Sequence, residues 1–182
     1  MTAPDLRFRP LTRQDFDLLS TWMSAPHVER WWREETSAEA LELRYGPAVD
    51  DTDRTECFIV QYEGEPIGFV QRYRIGENLE WQRSLAVAGT PNDGAGIDYF
   101  IGVATLTGQG LGPEIIDRFV AGTWTRYTEV PAIVVSVDKD NHRSWRALEK
   151  AGFLRVWTGF LVSEDPSDEG LNHVYVRHRP DE

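Results

Sequence analysis

Hydrophobic positions follow two different periods along this 182-residue chain, and the places where the period changes mark the elements. Residues 6–9 alternate as a short edge strand. Thr12-Arg-Gln-Asp15 has the form of a capping box, and Phe16, Leu19 and Met23 follow it at helical spacing. Thr36-Ser-Ala-Glu39 repeats that start signal with Leu41 and Tyr45 on one face, and Gly46-Pro47 is the expected stop. The period then drops to two. Residues 57–74 read as strand, turn at Glu63-Gly-Glu-Pro66, and strand, which is a hairpin. Residues 96–103 form a further strand, with Ile97, Tyr99, Ile101 and Val103 on one face.

The helical period returns with Ile115, Ile116, Phe119 and Val120. The run AIVVSV at 132–137 is too apolar for a half-exposed strand and reads as buried on both faces, as in a parallel pair. A helix is expected from about Asn141 to Ala151, ending at Gly152, and strands at 153–162 and 173–178 close the chain. The order strand, helix, helix, antiparallel strands, then strand–helix–strand–helix–strand predicts an α+β fold with a mixed sheet and one crossover unit. The length suits a single domain over 1–182, without repeats or linkers.

Charge narrows the partners. A net charge of −11 argues against nucleic acid or an anionic membrane, both of which reward clustered Lys and Arg. Such a surface steers cations instead, or simply keeps the chain soluble. No apolar run approaches a membrane span, the first residues lack a signal-peptide core, and the single cysteine, Cys57, fits a reducing compartment. Cytoplasm is the expected location. His27, His142, His173 and His178 lack metal-ligand spacing, so no metal is expected. Cys57 reads as core, and no Ser–His–Asp nucleophile elbow is found.

Two features carry chemistry. Thr107-Gly108-Gln109-Gly110-Leu111-Gly112 places three glycines between a strand and a helix. Such a turn gathers N–H groups at the positive end of a helix and suits a phosphate, although a tight turn without a ligand has the same composition. Neither the triphosphate loop nor the dinucleotide fingerprint fits its spacing. Asp98 interrupts an otherwise apolar strand, and a buried carboxylate there is either paired with a core arginine or functional.

The glycine turn resembles the pyrophosphate loop of the GCN5-related N-acetyltransferase (GNAT) family, Q/R-x-x-G-x-G/A, with Thr107 where the family has Gln or Arg. The resemblance continues through VSVDKDNHRSWRALEKAGF (135–153), with Asn141 at the family's Asn position and Lys150-Ala-Gly152-Phe153 as its closing signature, and it extends from about Leu6 to the C-terminus. Within that family the chain is similar to the aminoglycoside 6′-N-acetyltransferases through PHVERWWREE (26–35), GEPIGFVQRY (64–73) and GIDYFIG (96–102). The resemblance implies the GNAT fold, a mostly antiparallel mixed sheet splayed at its middle strands with helices on both faces. It also implies acetyl-CoA as co-substrate and a small cationic amine as acceptor, with the protein a monomer or homodimer.

By the same resemblance, Gln109, Gly110, Leu111 and Gly112 hold the pyrophosphate. Tyr99, Phe100 and Ile101 line the pantetheine arm and supply an oxyanion N–H, and Asn141 contacts the cofactor. Asp98 takes the role of base beside the acceptor amine. Trp31, Trp32, Glu35, Tyr73 and Glu80 are the candidate acceptor contacts, with Glu34, Glu77, Asp93, Glu164 and Asp165 as further carboxylates for a polycation. The family's usual tyrosine acid is Leu148 here, so another donor serves or the thiolate leaves unprotonated. Acylation of a siderophore hydroxylysine, of a protein N-terminus or of another metabolic amine remains open, as does a non-catalytic acyl-CoA-binding module.

Overall fold

The computed structural model describes residues 5–180. Seven strands form one sheet in the order β1-β2-β3-β4-β5-β7-β6: β1 Leu6–Pro10, β2 Glu56–Tyr62, β3 Glu65–Arg74, β4 Ala95–Ile101, β5 Ala132–Asp138, β6 Leu154–Phe160 and β7 Leu171–His178. Six α-helices accompany them: α1 Phe16–Met23, α2 Pro26–Trp32, α3 Ala38–Val49, α4 Leu79–Leu85, α5 Leu111–Arg126 and α6 His142–Lys150. This is the expected mixed α+β sheet. Its parallel ladder, β4 with β5, covers only Ala95 opposite Ile133 and Gly96 opposite Val134, while β5 stays paired with β7 along its whole length. The parallel ladder stops after Gly96. α5 is the crossover that a parallel pair demands.

The chain divides into two compact units. The first takes the chain up to Arg72 together with Asp98–Thr107, and the second takes Tyr73–Ile97 and Gly108 onward. In the first unit, the stripes of α1 and α3 meet β2 and β3 in a core that includes Leu19, Trp22, Met23, Leu41, Tyr45, Ile59 and Phe69. Thr12 and Asp15 act as predicted: the Thr12 N–H and hydroxyl both donate to Asp15 Oδ2 at 2.9 Å. The hairpin turn is tighter than expected. Only Glu63 (φ 51°) and Gly64 (φ 84°) lie outside the strands, the two positive φ values of a type I′ turn, and Pro66 is already in β3, next to an irregularity in register at Val60/Gln61.

α3 departs from expectation at both ends. Its cap is Ser37, whose Oγ accepts from Ala40 N at 3.2 Å, while the Thr36 carbonyl accepts from Ser20 Oγ of α1. It also runs through Gly46-Pro47 to Val49. Pro47 removes one intrahelical bond only, because the helix ends two residues later and the Asp50 N–H still closes on the Gly46 carbonyl. α2 and α4 were not visible in the periodicity. Each has seven residues, too few to show a stripe, and each is set by its start: Pro26 at the first position of α2, and Asn78 Oδ1 accepting from Trp81 N for α4.

In the second unit, Ile115, Ile116, Phe119 and Val120 of α5 are buried as expected. α6 ends in a Schellman closure: Gly152 has φ +83°, its N–H donates to Glu149 O, and the N–H of buried Phe153 donates to Leu148 O. The K-A-G-F signature is thus a helix-ending device. β6 is the outer strand of the sheet and leaves Leu154, Val156 and Phe160 exposed.

One half-buried carboxylate of this unit carries a prediction. Asp168, after β6, accepts from Ser163 Oγ at 2.7 Å, and burial raises it from the ordinary aspartate range to about 6, with Asp165 adding to the rise. A carboxyl raised in the fold destabilises the native state wherever it is ionised. The cost is absent below the unfolded value near 4, grows between there and 6, and is complete above 6. Asp168→Asn is therefore expected to raise Tm at pH 7.5 by roughly 5 °C, from at most about 3 kcal/mol, and to change nothing at pH 4. Thermal melts at the two pH values test this, and equal shifts at both would contradict it.

Candidate functional site

Asp98 lies in β4 within the first unit, half-buried on the strand face shared with Phe100. The expected apolar face (Ile97, Tyr99, Ile101) is only part of the picture, because the opposite face is also covered. Phe100 stacks on Phe69 at 5.6 Å and meets Trp32 edge-on at 4.9 Å, and a Cβ at Gly102 would lie 2.2 Å from the Trp22 ring. Val103 falls beyond the strand, which ends at Ile101. An aromatic floor thus fixes the stretch of β4 that follows Asp98.

Asp98 Oδ2 accepts a 2.8 Å hydrogen bond from Gln71 Nε2 of β3, and Gln71 Oε1 accepts from the Cys57 thiol of β2 at 3.7 Å. Cys57 is buried, as expected for core. Gln71 was not singled out from the sequence. The available signal was of the same kind as for Asp98, a polar residue at a buried position in a strand, since Gln71 is almost wholly enclosed.

A second polar chain lies in this unit. Trp32 Nε1 donates to Tyr45 OH at 3.3 Å, Tyr45 OH donates to Glu34 Oε2 at 2.9 Å, and Arg44 pairs with Glu34. Burial, followed by the Glu34 charge, raises the Tyr45 phenol well above its ordinary range, so it stays a donor at neutral pH. Glu34 is consequently a held carboxylate, whereas Glu35 is exposed. Trp32 is half-buried in the aromatic cluster, and Trp31 carries the Arg30 guanidinium over its ring at 4.4 Å. His27 Nε2 bonds to the Ile101 carbonyl, which fixes it to the end of β4.

The second unit holds the glycine loop. Gly108 (φ +75°) and Gly110 (φ +86°) both occupy the left-handed region, and a Cβ at either would meet no atom within 4 Å. Gly110 is the N-cap of α5, so the N–H groups of Leu111 and Gly112 stand at the positive end of a 16-residue helix. Gly112 has a different task, since its Cβ would approach the Ala147 Cβ of α6 at 3.3 Å. Two glycines thus shape an open cradle and the third lets two helices close, an arrangement that fits a pyrophosphate.

Asn141 caps α6, its Oδ1 accepting from Ser144 N at 3.3 Å. Leu148 is completely buried, so this position offers neither a proton donor nor a contact surface. The Tyr73 ring lies against Gly96, where a Cβ would come within 2.3 Å, and packs with Trp81 and Trp157 on a core of Ile75, Leu85 and Val134. Glu77, Glu80, Asp93 and Glu164 are exposed, and Asp165 caps the turn Pro166–Asp168. Among the described residues, no group of three or more His, Cys, Asp or Glu could hold a metal ion, and no helix is long and apolar enough to cross a membrane.

Comparison with known proteins identifies relatives of this chain. A family model described as an acetyltransferase (GNAT) domain matches residues 12–158. The aminoglycoside N(6′)-acetyltransferase type 1 of Klebsiella pneumoniae is 30% identical over 154 residues, spanning 82% of this chain and 74% of the relative. The protein of the same name from Serratia marcescens matches to the same extent. Among solved structures, aminoglycoside acetyltransferase AAC(6′)-Ib with coenzyme A matches with a TM-score of 0.80 at 26% identity, covering 96% of this chain and 95% of that one. The same enzyme with coenzyme A and kanamycin gives 0.79 at 27% identity, with the same coverage.

Proposed function

Since the chain belongs to the acetyltransferase (GNAT) domain family, we propose that it is an aminoglycoside 6′-N-acetyltransferase of the cytoplasm, one domain moving an acetyl group from acetyl-CoA to a primary amine of the antibiotic. The observation that carries this reading is Asp98, a half-buried carboxylate in mid-strand with one oxygen held by Gln71. The relatives' names and the kanamycin-bound neighbour support the acceptor class.

Each residue contributes a definable step. The open cradle at Gln109, Gly110, Leu111 and Gly112 receives the pyrophosphate of acetyl-CoA, with Asn141 of the same unit as a further candidate contact of the cofactor. The acceptor arrives as an ammonium ion, which the Asp98 carboxylate attracts and orients. As the nitrogen attacks the thioester carbon its acidity rises, and Asp98 takes the proton directly or through one water. A backbone N–H of Tyr99 or Phe100 stabilises the tetrahedral oxyanion. Leu148, aliphatic and buried, offers the departing coenzyme thiolate no proton, so another donor serves or the thiolate leaves unprotonated. Trp31, Trp32 and Glu35 are the candidate acceptor contacts of the first unit, and Tyr73 and Glu80 those of the second, the aromatic rings suiting sugar faces and the carboxylates suiting ammonium groups.

Thiol release from acetyl-CoA, followed colorimetrically, tests the assignment. Release is expected with kanamycin and not with an analogue lacking the 6′-amine. Silence with every aminoglycoside but release with hydroxylysine would transfer the protein to siderophore assembly.

A further inference from the structure

We propose that Gln71 is a positioning residue for Asp98, and that the Cys57 thiol sets the direction in which the Gln71 amide faces. This rests on reading Asp98 as the base, and it adds a three-strand relay behind it: Cys57 on β2, Gln71 on β3 and Asp98 on β4.

The argument begins with the amide. A buried glutamine can present either its carbonyl or its NH₂ to a neighbour, and the alternative here would set the carbonyl oxygen 2.8 Å from a carboxylate oxygen, acceptor against acceptor. Such an orientation is tolerable only with Asp98 protonated. The observed one is favoured when Asp98 is ionised, so amide direction and carboxylate charge are coupled.

The far end decides how firmly that direction is held. Cys57 can stabilise the Gln71 carbonyl only as S–H. Burial, helped by the charges of Asp53, Asp98 and Glu34 and opposed by Arg44, pushes the thiol up to about 12, so it remains a donor across the working range of pH. As donor at one end and carboxylate at the other, Cys57 and Asp98 admit one amide orientation. Gln71 Nε2 then holds Oδ2, which fixes the direction in which the carboxylate faces, and it favours the ionised base that a cation needs on arrival.

This gives a cysteine of no reactivity a part in proton transfer. It also explains a glutamine at a position almost wholly enclosed by strand and core. Removal of a hydrogen bond to a charged group costs roughly a factor of ten or more, and a merely structural Gln71 would not move the titration of Asp98.

The experiment follows the Asp98 ¹³Cγ resonance of the full-length protein against pH, assigned by its absence in Asp98→Asn, alongside kcat and KM with kanamycin. Gln71→Met is expected to move the Asp98 titration upward by roughly one pH unit and to lower kcat about tenfold, with KM for acetyl-CoA unchanged. Cys57→Ala is expected to shift both in the same direction by less, and Cys57→Ser, which restores an O–H donor, to return both to the starting values. An unmoved Asp98 resonance in Gln71→Met and Cys57→Ala, or Cys57→Ser behaving as Cys57→Ala, overturns the proposal. Should Gln71→Met fail to fold, the two Cys57 variants decide it. Full turnover in Asp98→Asn would remove the base assignment instead, while the titration still reports on the relay.

Discussion

Asp98→Asn is expected to lower kcat by about 10²- to 10⁴-fold while acetyl-CoA binds with unchanged affinity. The separation follows from where the residues stand. The proposed pyrophosphate cradle is backbone of the loop around Gly110 and the start of α5, and its shape depends on two positive-φ glycines. Asp98 belongs to β4 and is held by Gln71. Asparagine keeps the volume and can still accept from Gln71 Nε2 through its carbonyl oxygen, so the strand and the aromatic packing of Phe100 have no reason to change. What disappears is the negative charge that, in the proposed reaction, receives the ammonium and the oxygen that accepts its proton. KM for the aminoglycoside should therefore rise as kcat falls. Calorimetric titration with acetyl-CoA and steady-state thiol release make the comparison. Turnover within a few-fold of the parent would show that the proton leaves by another route.

Much of this architecture was legible because it rests on local rules. Alternation gave the hairpin and the strand carrying Asp98, the capping box gave the start of the first helix, and the Gly152 closure gave the end of α6. Asp98 stood out because a charge in an apolar strand is conspicuous. Gln71 did not, since an amide in the sequence FVQRYR reads as the polar end of a strand, and only pairing across β2, β3 and β4 shows it enclosed between a thiol and a carboxylate. α2 and α4 escaped because periodicity needs about three turns to declare itself and each has only seven residues. The two-sided covering of β4 was missed for a related reason: Gly96, Gly102 and Phe100 take their partners, Tyr73, Trp22, Phe69 and Trp32, from distant parts of the chain. The glycine turn, ambiguous by composition, separates by geometry into two residues that open a cradle and one that admits a neighbouring helix.

Gly68→Ala is expected to be the most damaging substitution of a single methyl group. The added Cβ would lie 2.3 Å from the Phe100 carbonyl oxygen and 3.2 Å from the Ile101 Cα, and both obstacles are backbone. A flexible side chain could swing aside, but β4 cannot, because Phe100 is stacked on Phe69 and held edge-on by Trp32. Overpacking costs typically 1–3 kcal/mol, and an immovable neighbour places this case at about 3 kcal/mol, a fall in Tm of roughly 6–12 °C. The strain falls two residues from Asp98. Any relief obtained by shifting β4 would misplace the carboxylate, and displacements near 1 Å can cost about 10²-fold in rate. Gly64 supplies the contrast. It too is a glycine of the GEPIG segment, but its constraint is only φ +84°, with nothing within 4 Å of a Cβ. Gly64→Ala should therefore lose about 1 kcal/mol through backbone strain alone and keep its kcat. Calorimetric melting and thiol release on the two variants separate steric pressure on the strand bearing the proposed base from strain in a remote turn. Equal losses in both would mean that β4 yields, and that the rigidity inferred from its aromatic packing is not there.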